Sequence, residues 1–138
     1  MNELGVGFLE SVYHQSLAIA LSQEGLEVQS EVLMPVSFRG FNVGNFKADL
    51  IIDNEIIIEI KAVDKIVSTH KIQIINYLKA TGLTTGLVIN FGNPTVQIAR
   101  AFNPKLQSSL FPYSKTTPLS SPILPIFSIF PNPVKFPP

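Results

Sequence analysis

The stretch Asp49-Leu-Ile-Ile-Asp-Asn-Glu-Ile-Ile-Ile-Glu59-Ile60-Lys61 decides the fold. Two β-rich apolar runs flank Asp53-Asn54-Glu55, which is the composition of a β-hairpin. Leu50, Ile52, Ile56, Ile58 and Ile60 are all apolar. Burying them on one face requires a register in which paired positions sum to an even number: 52 with 56, 50 with 58. Asp53-Asn54-Glu55 is then a three-residue loop, a common hairpin connection. A two-residue loop would send Asp49 and Glu59 to opposite faces. The even register instead predicts Asp49 opposite Glu59 and Lys47 opposite Lys61. Burial alone therefore gathers Asp49, Glu59 and Lys61 on one face, beside Ile51 and Ile57.

Charge inside such strands is costly unless it is paired or metal-bound. Adjacent carboxylates repel and push one pKa upward unless a cation intervenes. Lys61 offsets part of that repulsion. A plain ion-pair patch on a solvated sheet face satisfies the same pattern. The sharper alternative is a divalent cation, since Mg²⁺ takes oxygen from one or two carboxylates, water and substrate phosphate. The Ile60 carbonyl can add another oxygen. Lys61 can then orient or deprotonate the attacking water, or stabilise the charged transition state.

Working outward, residues 5–23 have helical spacing, with Leu9, Val12, Leu17, Ala20 and Leu21 recurring and Gly25 as the stop. Gly7, Glu10 and Tyr13 fall one turn apart on it, and His14 is expected on its surface. Val28, Val32, Met34, Val36 and Phe38 alternate as in a half-buried strand. Arg39–Asn42 is a turn, 46–52 the second strand and 56–63 the third. Ser68 or Thr69 can cap a helix running to Thr81, stopped by Gly82. Gln73 and Tyr77 share a face of this helix, with Ile74, Ile75 and Leu78 inward. Strands over 87–90 and 96–102 complete an αβββαβ order with one further strand. The fold class is α/β: a mixed sheet covered by helices.

The 138 residues are 46% hydrophobic, which suits one small domain. No cysteine is present, so disulfide and thiolate chemistry are excluded and a reducing, cytoplasmic setting is expected. No signal peptide and no membrane-spanning run are visible. The net charge is zero, but residues 1–102 carry seven Lys/Arg against ten Asp/Glu. A broadly basic DNA-coating surface is thereby excluded. Nucleic acid would have to be bound by a local groove and by cations. From Asn103 on, nine of 36 residues are Pro. Residues 103–138 are expected to form an irregular tail beyond a domain at 1–102. Within it, Ile123-Leu-Pro-Ile-Phe-Ser-Ile-Phe130 is apolar enough to dock on the domain or on a partner.

Several blocks resemble one known family. Gly7-Phe-Leu-Glu10-Ser-Val-Tyr13 matches the motif that names the GxxExxY proteins, which resemble the PD-(D/E)XK nuclease superfamily. Pro35–Gly40, Lys47-Ala-Asp49, Glu59-Ile-Lys61, Gln73–Gly82 and Gly86–Gly92 follow in the family's order. An isolated D…ExK is a weak signal, whereas the joint match is specific. The resemblance implies a restriction-endonuclease-like core with a mixed central sheet. It implies that Asp49 is the motif aspartate, Glu59 and Lys61 the E-x-K, and Glu10 a helical acid reaching the metal. Gln73 and Tyr77 look like the Q-x-x-x-Y pair that lines the substrate path in the exonuclease-type branch. The expected metal ligands are thus Glu10, Asp49, Glu59 and the Ile60 carbonyl, holding Mg²⁺ or Mn²⁺. Gln73, Tyr77 and Lys47 are the expected substrate contacts. The expected function is phosphodiester hydrolysis, in DNA rather than RNA. The alternative is a non-catalytic nucleic-acid-binding or assembly module that retains the fold.

Overall fold

The computed structural model describes residues 4–106 and 123–130. Helix α1 (Glu10–Gln23) is followed by β1 (Val28–Phe38), β2 (Phe41–Ile52), β3 (Ile56–Lys61), α2 (Ser68–Thr81), β4 (Thr85–Asn90), β5 (Gln97–Phe102) and a short α3 (Ile123–Ser128). The strands form one sheet in the order β1-β2-β3-β4-β5. Among the described residues only the β3–β4 pair is parallel, with α2 as its crossover; the other pairs are antiparallel. The mixed α/β class expected from the sequence is what forms.

The hairpin register is the even one. Leu50 pairs with Ile58, Ile51 with Ile57, and Ile52 with Ile56. Asp53 and Asn54 both take left-handed backbone conformations, and the Ile52 carbonyl accepts from Glu55 N at 3.0 Å. Asp and Asn tolerate that conformation better than other non-glycine residues. The consequence is two separate cores. Leu50, Ile52, Ile56, Ile58 and Ile60 pack against Tyr13, Leu17 and Leu21 of α1. Ile51 and Ile57 pack with Ile74 and Leu78 of α2.

One irregularity was not foreseen. The β1–β2 ladder passes from Ser30↔Leu50 to Val32↔Ala48 without pairing Glu31 with Asp49. Glu31 is left-handed there, with φ 53°. Side-chain alternation inverts in both strands at this level. Val28, Leu50 and Ile52 belong to the α1 side, whereas Val32, Met34, Val36, Phe46 and Ala48 belong to the α2 side. The expected single alternating face over 28–38 is therefore split, and Phe38 is exposed.

Helix α1 starts at Glu10, not at residue 5. Gly5 and Gly7 have φ of 71° and 97°, outside the helical region. Tyr13 Oη donates to the Gly5 carbonyl at 2.9 Å and accepts from Phe8 N at 3.2 Å, which folds this loop onto the helix. Leu9 is exposed, and the buried stripe is Tyr13, Leu17 and Leu21. Helix α2 spans the expected residues, but neither Ser68 nor Thr69 is its cap. Its cap residue is Val67, whose N–H donates to Nδ1 of His70 at 3.2 Å.

Of the expected tail, residues 107–122 and 131–138 lie outside the described residues. Helix α3 takes the docked alternative. Ile123, Ile126 and Phe130 are buried against the α1 side, with Phe130 tilted on Phe91 at 6.2 Å. No helix among the described residues is long and apolar enough to cross a membrane.

Candidate nuclease site

The acids meet where the hairpin ladder stops. Beyond Leu50↔Ile58 the backbones of β2 and β3 no longer pair. The Asp49 carboxylate takes over, with Oδ2 accepting from Ile60 N at 2.7 Å. The backbone pairing expected between Asp49 and Glu59 is thus a side-chain bridge, one residue displaced. Glu59 is only 8% exposed, and its Oε1 is buried with no hydrogen-bond partner. Its pKa is raised to about 8, by burial first and then by the Asp49 charge, with Lys61 opposing the rise. An unpartnered buried carboxylate oxygen is expensive, and ordinary packing gives no reason for it.

The parallel β3–β4 ladder fixes the far end of this strand. Glu59 pairs with Val88 and Lys61 with Asn90, and Phe91 N donates to the Lys61 carbonyl at 2.8 Å. Asn90 is fully buried. Its Oδ1 accepts from Val63 N at 2.9 Å and its Nδ2 donates to the Val63 carbonyl at 2.8 Å. This amide pair imitates a strand partner and holds the chain just past Lys61. Gly92 lies so close to Val63 that a Cβ there would meet the Val63 backbone.

Helix α2 adds polar groups from the same side. Gln73 Nε2 donates to Tyr77 Oη at 2.6 Å, and the Tyr77 ring stacks on Phe46 at 3.7 Å. The Tyr77 phenol is pushed up by burial first and then by the charges of Glu59 and Asp49, with the Gln73 hydrogen bond opposing. Those causes put Tyr77 within electrostatic reach of both acids. An open groove of about 470 Å³ runs along Thr69, Ile72, Gln73, Asn76 and Tyr77.

Two expected members are elsewhere. Lys47 precedes the inversion, so it does not face Lys61. Its Nζ is paired with Glu31 Oε1 at 3.1 Å on the surface. Glu10 is exposed in the first turn of α1 and is not among the charges that shift Glu59. Among the described residues no group of three or more His, Asp or Glu is gathered. Conversely, sequence reasoning missed His14, Phe46 and Asn90. His14 is half-buried, and its Nε2 contacts the Asp49 carbonyl at 3.0 Å.

The donor set suits a hard divalent cation. Two adjacent carboxylates, one with a free buried oxygen, match the few protein ligands Mg²⁺ accepts while keeping water. The residues present therefore fit such an ion.

A mixed sheet with helices on both faces, and paired acids beside a lysine at the end of its parallel strand, defines the restriction-endonuclease-like class of α/β folds. The chain belongs to the PD-(D/E)XK nuclease superfamily, whose family model matches residues 1–101. No match is found among curated proteins. Among solved structures, the crystal structure of SSO0001 aligns with a TM-score of 0.53 and 24% identity. The alignment covers 69% of this chain and 50% of that one, so the chain spans half of that protein's length. That likeness concerns the fold alone.

Proposed function

We propose that this protein is a divalent-metal-dependent nuclease hydrolysing phosphodiester bonds, in DNA rather than RNA. The observation that carries the reading is Glu59: a buried acid beside Asp49, with one oxygen unpartnered and Lys61 acting on it. Asp49, Glu59 and the Ile60 carbonyl would hold Mg²⁺ or Mn²⁺. When bound, the cation supplies positive charge to the scissile phosphate and makes a nearby water acidic. Lys61 orients that water and stabilises charge on the phosphate oxygens. Gln73 and Tyr77 bind a phosphate or sugar along the α2 groove. The ring of Phe46 holds Tyr77 in place. Within the superfamily we assign the chain to the GxxExxY type, on Gly7, Glu10 and Tyr13. The nuclease-like domain is taken as residues 1–102, in a cytoplasmic setting consistent with the absence of cysteine.

The exposed position of Glu10 favours one competing reading, a non-catalytic nucleic-acid-binding module that kept the fold. Cleavage of single- and double-stranded DNA and RNA with Mg²⁺ or Mn²⁺ separates the two. The nuclease reading expects metal-dependent cleavage of DNA, lowered about 10²-fold or more in Lys61→Ala. Absence of cleavage of every substrate, or equal cleavage by the variant, favours the module.

A further inference from the structure

We infer that His14 is a positioning residue that holds the Asp49 carbonyl, which neither neighbouring ladder pairs. Its consequence for metal binding rests on the nuclease reading. Its structural content does not.

Asp49 occupies an unusual place in β2. The β1–β2 ladder skips it, and the β2–β3 ladder ends one residue before it. An interior strand residue left out of both ladders would normally leave polar groups unsatisfied. Glu31, its natural partner across β1, is turned away by its left-handed backbone. The Asp49 N–H turns to the Glu59 carboxylate, and two further contacts take up its other polar groups. The Asp49 carboxylate accepts from Ile60 N at 2.7 Å, and the Asp49 carbonyl contacts His14 Nε2 at 3.0 Å. A carbonyl oxygen only accepts, so Nε2 carries the proton and donates.

His14 reaches this point from a rigid support. Tyr13 and Leu17, on either side of it in α1, are buried in the core. Tyr13 also stacks on Phe91 at 4.8 Å, the residue whose amide holds the Lys61 carbonyl. Asp49 is thus pinned by its carbonyl to α1 and by its carboxylate to β3. Removing the first pin frees the Asp49 peptide to rotate and draws Oδ2 off Ile60 N. The inversion of the sheet at Glu31 and Asp49 costs the aspartate its strand partners, and His14 replaces one of them.

The test uses the full chain with His14→Gln, whose amide can still donate, and His14→Met, which has similar bulk and no donor. Amide hydrogen exchange is followed for Ile60 and, as a reference in the neighbouring strand, Val88, without metal or nucleic acid. The Ile60/Val88 exchange ratio should rise about tenfold in His14→Met and stay near wild type in His14→Gln. An unchanged ratio in both variants, or an equal rise in both, overturns the inference. The same three proteins are titrated with Mn²⁺ by calorimetry. His14→Met should bind about tenfold more weakly, and His14→Gln should bind as the wild type does. Failure of the wild type to bind Mn²⁺ would sink the nuclease reading, while the Ile60 ratio would still decide the role of His14.

Discussion

Replacing Glu59 by Gln should stabilise the metal-free protein at alkaline pH and leave it unchanged in acid. The carboxyl titrates near 8 in the fold, against an ordinary value of 4.5. Between those values the unfolded chain has released the proton while the folded chain still holds it. Stability is therefore complete below the lower value, falls as pH rises, and levels off above the upper one. At about 1.4 kcal/mol per pH unit, the loss reaches roughly 3 kcal/mol at pH 7 and about 5 kcal/mol near pH 9. Glu59 is 8% exposed, so solvent screening removes little of this. Gln has nearly the same shape and cannot ionise, and every other titrating group is common to both proteins. Urea unfolding in the presence of a chelator, repeated from about pH 4 to about pH 9, gives the difference directly. The two proteins should agree within about 1 kcal/mol at the acid end, with the variant ahead by several kcal/mol at the alkaline end. A variant that tracks the wild type throughout would refute the claim that Glu59 is a desolvated acid held beside Asp49.

Three further changes test the scaffold around that acid. Gly92→Ala forces a Cβ onto the Val63 backbone, which cannot yield as a side-chain tip would; a loss of about 1–3 kcal/mol or more is expected in urea unfolding. Asn90→Ala removes both bonds to Val63 and strands its N–H and carbonyl; about 2–4 kcal/mol should be lost, together with protection of the Val63 amide in hydrogen exchange. Ile126→Ala deletes a fully buried side chain of α3; thermal or urea unfolding should show a cost of about 2–5 kcal/mol, whereas a change below about 0.5 kcal/mol would mean that α3 does not belong to the core.

The central hairpin was legible because five apolar positions and one short loop leave a single register that buries them. That register draws Asp49, Glu59 and Lys61 together, but the predicted Asp49–Glu59 backbone pair is replaced by the Asp49 carboxylate on Ile60 N. What failed was the extension of the same parity to Lys47. Val28 and Val32 are both even-numbered, so a period of two runs unbroken through them, and no glycine marks position 31. The left-handed Glu31 and the unpaired Asp49 invert both strands together, which leaves no trace in the alternation. Lys47 consequently finds Glu31 on the surface instead of facing Lys61. The start of α1 was overrun because Leu9 and Val12 fit the helical period, yet Gly5 and Gly7 are needed in the loop that Tyr13 gathers. Helix α3 was hidden by proline content. Pro125 sits in its first turn, where a missing N–H deprives no carbonyl of a partner. His14 could not be found from sequence, because its partner is a backbone carbonyl exposed by the same inversion.

Whether Asp49 and Glu59 form a metal centre is most directly answered by calorimetric titration of the wild type, Asp49→Asn and Glu59→Gln with Mn²⁺ near pH 7, in two buffers of different ionisation enthalpy. Near that pH the Glu59 carboxyl of the metal-free fold is mostly protonated, so binding must expel its proton. A metal centre on these two acids should give one site in the wild type, release of about one proton, and loss of binding in both variants. No binding by the wild type, or binding that survives both substitutions without proton release, would contradict it.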